Sequence, residues 1–140
     1  MASLFSLLET ALVAQFSDLV SGDCYPGTSY GDKVLPNITC VVSRAAQPFK
    51  SATGGGPANY VVECGIIVRD TAKEGSTFDD LADAVHSRTA TDGFAAGLSA
   101  GALNVFGETE PAVITREVDG DSWVQTITLV MEVSLTSTAD

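Results

Sequence analysis

Asp119-Gly120-Asp121-Ser122-Trp123-Val124-Gln125-Thr126-Ile127-Thr128-Leu129-Val130-Met131-Glu132-Val133-Ser134-Leu135 is the stretch that decides the fold. Asp119-Gly120 is a two-residue hairpin signal, because Gly and Asp accommodate the positive φ of a tight turn. Behind it the side chains alternate. Trp123, Ile127, Leu129, Met131, Val133 and Leu135 share one face, on which Gln125 is the only polar residue. Val124, Thr126, Thr128, Val130, Glu132, Ser134 and Thr136 share the other. This period of two predicts a strand over 123–135, ~45 Å long at ~3.4 Å per residue. Strands commonly have about five or six residues. The first face carries enough large apolar residues to close a core. The second is mostly β-branched and holds one charge, Glu132, where a solvated strand would carry several against unwanted pairing. Val124, Thr126, Thr128, Val130 and Glu132 are therefore predicted to meet a neighbouring subunit or to border a channel that the subunits enclose.

Outward from this strand, Ala112–Val118 supplies the other arm of the hairpin. A helix is predicted from Ser76 or Thr77 to Arg88, with Phe78, Leu81, Ala82 and Val85 as its apolar stripe and Asp79 and Asp80 in its first turn. Asn59–Arg69 alternates as a strand whose two faces are both partly apolar, which suits an interior position. Ile38–Ser43 is a shorter strand, and residues 22–37 are loop. At the N-terminus Leu4, Leu8, Leu12, Phe16 and Leu19 recur at helical spacing; Ser6 and Glu9 are spaced as a capping box, and Ser3 is the alternative cap. Residues 45–58, rich in Gly, Pro and Ala, lack periodicity and form a long arm; its Gly54-Gly55-Gly56-Pro57 is not followed by the Lys-Ser/Thr of a phosphate loop. Gly93–Gly107 is small and apolar, with glycine every fourth residue at 93, 97 and 101. It is expected to be a tightly packed loop or irregular helix crossing the sheet. The fold class is α+β: one antiparallel sheet with a long C-terminal β-hairpin, packed in two layers against two helices.

The 140 residues make one domain, 1–140, able to bury a core without staples. Acidic residues outnumber basic ones 18 to 7, so the chain has no general grip on a nucleic-acid backbone or an anionic lipid surface. The seven basic residues are scattered, and no apolar run is long enough for a membrane span. The start, Met1–Glu9, lacks the basic region of a signal peptide. Cys24, Cys40 and Cys64 are odd in number and match no metal spacing; Cys40 and Cys64 are expected to be buried thiols. His86, the single histidine, has no nucleophile motif to serve, and Asp79, Asp80, Asp83 and His86 match no metal-binding pattern. No catalytic residue, metal ligand or cofactor is expected.

The order helix, strand, Gly/Pro arm, strand, helix and long hairpin resembles the tail-terminator family of tailed bacteriophages, also called tail-completion or tail-to-head joining proteins. Leu4–Val20 carries the resemblance, with Val34-Leu35-Pro36-Asn37-Ile38 leading into a strand, Tyr60–Arg69, Phe78-Asp79-Asp80-Leu81-Ala82 opening a helix, and Trp123–Leu135. It covers nearly all of the chain; Gly93–Gly107 departs from it. The resemblance implies a structural virion protein, assembled in the host cytoplasm, that forms a homo-oligomeric ring, a hexamer in that family. Such a ring caps the tail tube and joins it to the head connector and neck proteins, while DNA passes through its channel without specific binding. The net charge of −11 suits such a channel. The arm suits a segment that orders on a neighbour, with Pro48, Phe49 and Lys50 as candidate contacts. A head-completion or neck protein of the same virion is the nearest alternative. From another class, the rival is a small α+β enzyme or ligand-binding domain with its pocket under the 45–58 arm. Perturbed titratable groups in a cleft would mark that rival.

Overall fold

The structure, a computed structural model, describes residues 4–20, 23–27, 35–46, 58–71, 75–91, 93–99 and 103–135. In chain order the elements are α1 (Leu4–Phe16), a 3₁₀ turn (Ser17–Val20), β1 (Cys24–Pro26), β2 (Asn37–Ala46), β3 (Ala58–Thr71), α2 (Gly75–Thr89), α3 (Phe94–Gly97), β4 (Leu103–Glu108), β5 (Val113–Asp119) and β6 (Ser122–Leu135).

The long predicted strand is β6, and its partner along the whole length is β3. The two pair antiparallel without a register shift, from Ala58 opposite Leu135 to Thr71 opposite Ser122. On its other side β6 is lined by β4 and β5, which run in the same direction and divide the edge between them. Leu103–Glu108 pairs with Met131–Leu135, and Val113–Asp119 pairs with Ser122–Thr128. Between them the Thr109 amide still donates to the Val130 carbonyl at 2.9 Å. The sheet order is β1-β2-β3-β6-β4, with β5 also on β6. The hairpin loop is Gly120-Asp121, one position later than expected, and Gly120 has the φ of 62° that this turn demands.

One face of the sheet carries the core. Ile38, Cys40 and Val42 of β2, Val62, Cys64, Ile66 and Val68 of β3, Leu103 and Val105 of β4, and Ile127, Leu129, Met131 and Val133 of β6 are all buried there. Leu8, Leu12 and Phe16 of α1 and Phe78, Ala82 and Val85 of α2 close over them. Phe94 of α3 packs its ring 5.9 Å from that of Phe16. The helical spacing of three and four thus buries one stripe of each helix on the alternate-residue stripe of the strands.

Four further features differ from expectation. β1 lies within the stretch read as loop and pairs parallel with β2, so the sheet is antiparallel except at this edge. Three residues are too few to show a period. β2 runs on to Ala46 past a bulge between Val42 and Arg44, so the first residues of the expected arm are strand; residues 47–57 lie outside the described residues. Gly93–Gly107 is not loop or irregular helix throughout. It contributes the one-turn α3 and then β4, whose Leu103 and Val105 enter the core. Finally, Ser6 and Glu9 form no capping box, because α1 already begins at Leu4 and Glu9 faces the sheet.

Glu9 is buried, and its Oε2 accepts the Val42 amide at 2.8 Å. That amide points toward the β1 side of β2, as those of Ile38 and the carbonyl of Cys40 do, but β1 has already ended. The carboxylate thus supplies the acceptor that a longer β1 would have offered. Arg88, near the end of α2, donates to both carboxylate oxygens of Asp18 and to the Gln15 carbonyl, tying α2 to the end of α1. Its guanidinium holds the Asp18 carboxyl below the usual value. On the hairpin, Arg116 of β5 donates to Gln125 Oε1 at 2.8 Å and to Asp79 and Asp83 of α2, and lies over the Phe78 ring. Gln125, the polar entry on the apolar face, donates in turn to the Ala82 carbonyl at 3.3 Å. These bonds pin β5 and β6 to α2.

Glu9→Leu is expected to cost about 1–3 kcal/mol in chemical denaturation, because the Val42 amide stays buried without an acceptor. Glu9→Gln, which keeps a carbonyl oxygen there, should cost less. Arg116→Ala removes a donor from buried Gln125 and is expected to destabilise by about 1–3 kcal/mol and to speed hydrogen exchange in β5 ahead of β3. For Asp18 the depressed native value means its contribution is complete above the unfolded value, about 3.9, and is lost as pH falls through the native one. NMR titration should therefore find the Asp18 carboxyl low in the native chain and back at its ordinary value in Arg88→Ala.

Candidate assembly interface

The sheet face away from the helices is assembled row by row from the pairing. Val41, Gly65, Thr128 and Val113 stand side by side across four strands. Thr39, Ile67, Thr126 and Thr115 form the next row. Both rows are free of charge. They result from the same alternation that fills the core, because every second residue of β2, β3, β6 and β5 must point this way. Thr39, Val41, Ile67, Thr126, Thr128 and Val130 are half-buried by their neighbours, and Val113 is 57% exposed. No helix or strand among the described residues lies over this face. Gly27 packs so closely beside it that a Cβ there would come within 2.5 Å of Val41 Cγ2.

Charge gathers at both ends of the neutral rows. At one end Arg69 pairs with Asp119 at 3.1 Å, and Glu117 stands opposite Val124. At the other end Arg44 lies opposite Glu63, and Val61 opposite Glu132. Here a half-open hollow of about 290 Å³ is lined by Arg44, Ala46, Val61, Glu63, Glu110 and Val130. A neutral centre with a charged rim is the usual division of a protein–protein contact surface.

The residues predicted from sequence fall as follows. Thr126, Thr128 and Val130 sit in or beside the neutral rows, and Glu132 is exposed at the rim. Val124 is on the same face but only 5% exposed, between Arg69 and Glu117 of the flanking strands, so it offers little surface. Pro48, Phe49 and Lys50 lie outside the described residues. Sequence reasoning missed the partners from other strands, Thr39, Val41 and Val113, which only the register brings beside β6. It also missed the apolar side chains of the β4–β5 edge, where Phe106 is 61%, Ile114 41% and Val118 54% exposed. A strand with Val and Ile on both faces is a signal for such an edge, and Val113-Ile114-Thr115-Arg116-Glu117-Val118 carries it.

Elsewhere the chemistry is sparse. His86 is exposed on α2, and among the described residues no three His, Cys, Asp or Glu side chains are grouped to hold a metal ion. All three cysteines are buried free thiols; Cys24 is among them because β1, within the stretch expected to be loop, carries it into the core. Among the described residues no helix is long and apolar enough to cross a membrane.

No protein-family model matches the chain, and no curated protein matches it in sequence. Among solved structures, the chain is similar in fold to a component of the virion of a native gene transfer agent particle. The TM-score is 0.60 and the identity 20%, over 93% of this chain and 95% of that one. Coverage this complete on both sides means that the α+β arrangement of the whole domain, rather than of one hairpin, is what the two chains share.

Proposed function

We propose that the chain is a structural, non-enzymatic subunit of a phage-like virion: a ring-forming tail terminator that caps the tail tube, meets the head connector, and lets DNA pass. The observation that carries this reading is the neutral, β-branched sheet face with its charged rim. A domain whose helices cover only one side of its sheet leaves apolar area in water, and closure of a ring buries that area without catalytic chemistry. The fold shared with a chain of a gene transfer agent virion supports the virion setting. The excess of acid over base supports a lumen that repels the DNA backbone.

In this reading the two sides of β6 answer different questions. Leu129 is fully buried in the subunit core, whereas Val130 is half-buried on the open face. Leu129→Ala is expected to destabilise the subunit by roughly 2–5 kcal/mol. Val130→Lys is expected to leave the circular dichroism spectrum and thermal midpoint of the subunit nearly unchanged while abolishing the closed oligomer in analytical ultracentrifugation, since it puts a long charged side chain, opposite Glu63, into the contact. Negative-stain images of the wild type should show rings. Wild-type rings that persist in Val130→Lys would remove this face from the contact, and a wild type that stays monomeric at every concentration would end the ring reading.

A further inference from the structure

The sulfurs of Cys24 and Cys40 are 4.0 Å apart in the core, in contact across the parallel edge of the sheet. They are placed there by the β1–β2 register, in which Cys24 lies opposite Ile38 and Cys40 opposite Pro26, so both thiols reach toward the helices from diagonal positions. Cys40 is sealed, with no exposure; Cys24 keeps 6% and sits on a strand of three residues that pairs only with β2 among the described residues. Cys64 stands one strand further in, opposite Val42, where burial pushes its thiol up to about 12. The shared hydrogen bond favours the thiolate of Cys24 and disfavours that of Cys40. The two thiols also differ in access: both are buried, but Cys24 on the short edge strand keeps the little exposure there is, and Cys40 behind it keeps none.

We propose that Cys24 and Cys40 are a redox-sensitive pair that closes to an intrachain disulfide under oxidising conditions. The oxidant is a small-molecule disulfide. The Cys24 thiolate attacks one of its sulfurs, breaking that S–S bond and expelling one thiolate. Cys40 then gives up its proton and attacks the Cys24 sulfur of the mixed disulfide, expelling the second thiol. The protein loses two hydrogens, and one small disulfide becomes two thiols. Closing from 4.0 Å to a bond of about 2.05 Å takes side-chain rotation and an inward shift of β1, which an edge strand held on one side permits. In a reducing compartment the pair stays open; outside it, the bridge would lock β1 onto β2. This inference does not depend on the virion reading.

The test treats the folded protein with oxidised glutathione, then counts thiols after unfolding and maps peptides. The expected result is a fall from three thiols to one, a Cys24–Cys40 peptide, and a thermal midpoint raised by about 10 °C that reductant reverses. Cys64→Ser should form the same bridge, and Cys24→Ser should keep both of its thiols. The proposal is overturned if the folded protein keeps all three thiols under conditions that oxidise the urea-unfolded chain. A bridge that maps to Cys64 or joins two chains also overturns it.

Discussion

The ladder between β3 and β6 places everything else in this domain. It runs from Ala58 opposite Leu135 to Thr71 opposite Ser122 without a bulge. A slip of one residue would turn Leu129, Met131 and Val133 outward and bring Thr128, Val130 and Glu132 into the core, so burial holds the register tightly. Because β6 is longer than any other single strand on its free side, two strands, β4 and β5, are needed to line it. The helices follow from the same ladder, since only one of its faces presents an unbroken apolar surface.

Polar groups then make that arrangement specific. An apolar helix on an apolar sheet is free to slide, because burial is not directional. Glu9 removes that freedom for α1 by reaching one amide on β2, and the Arg116–Gln125–Ala82 chain of bonds removes it for the hairpin against α2. Both sets cross between layers. Neither is a surface ion pair of the kind that contributes little. The Arg88–Asp18 pair is more exposed, and its donation to the Gln15 carbonyl is what adds a geometric constraint.

The functional reading rests on the remaining face. Its neutral centre, its charged ends and its lack of a covering layer among the described residues are consequences of one alternation carried through four strands. A neutral centre between charged ends is the division that a protein–protein contact surface usually shows. The hollow beside Arg44, Glu63 and Glu110 lies at the rim of that surface rather than at its centre.

Residue pattern alone is enough for the hairpin, β3, α2 and the body of α1, and with them the α+β class. Each has a long period of two or of three and four that only one backbone geometry satisfies. It also determined which side chains of β6 point to the open face, Thr126, Thr128, Val130 and Glu132, since alternation needs no partner to be known. β1 and β4 depend on the assembled fold: they are too short or lie in too glycine-rich a stretch to show a period, and they become strands because β2 and β6 offer them a ladder. That fold alone decided the roles of Glu9 and Gln125, whose polarity marks them in the sequence as exceptions and whose partners lie 33 and 43 residues away. The rows Val41–Gly65–Thr128–Val113 and Thr39–Ile67–Thr126–Thr115 were likewise beyond the sequence, because register between strands is set by packing on the far side of the sheet, not by the residues that form the rows.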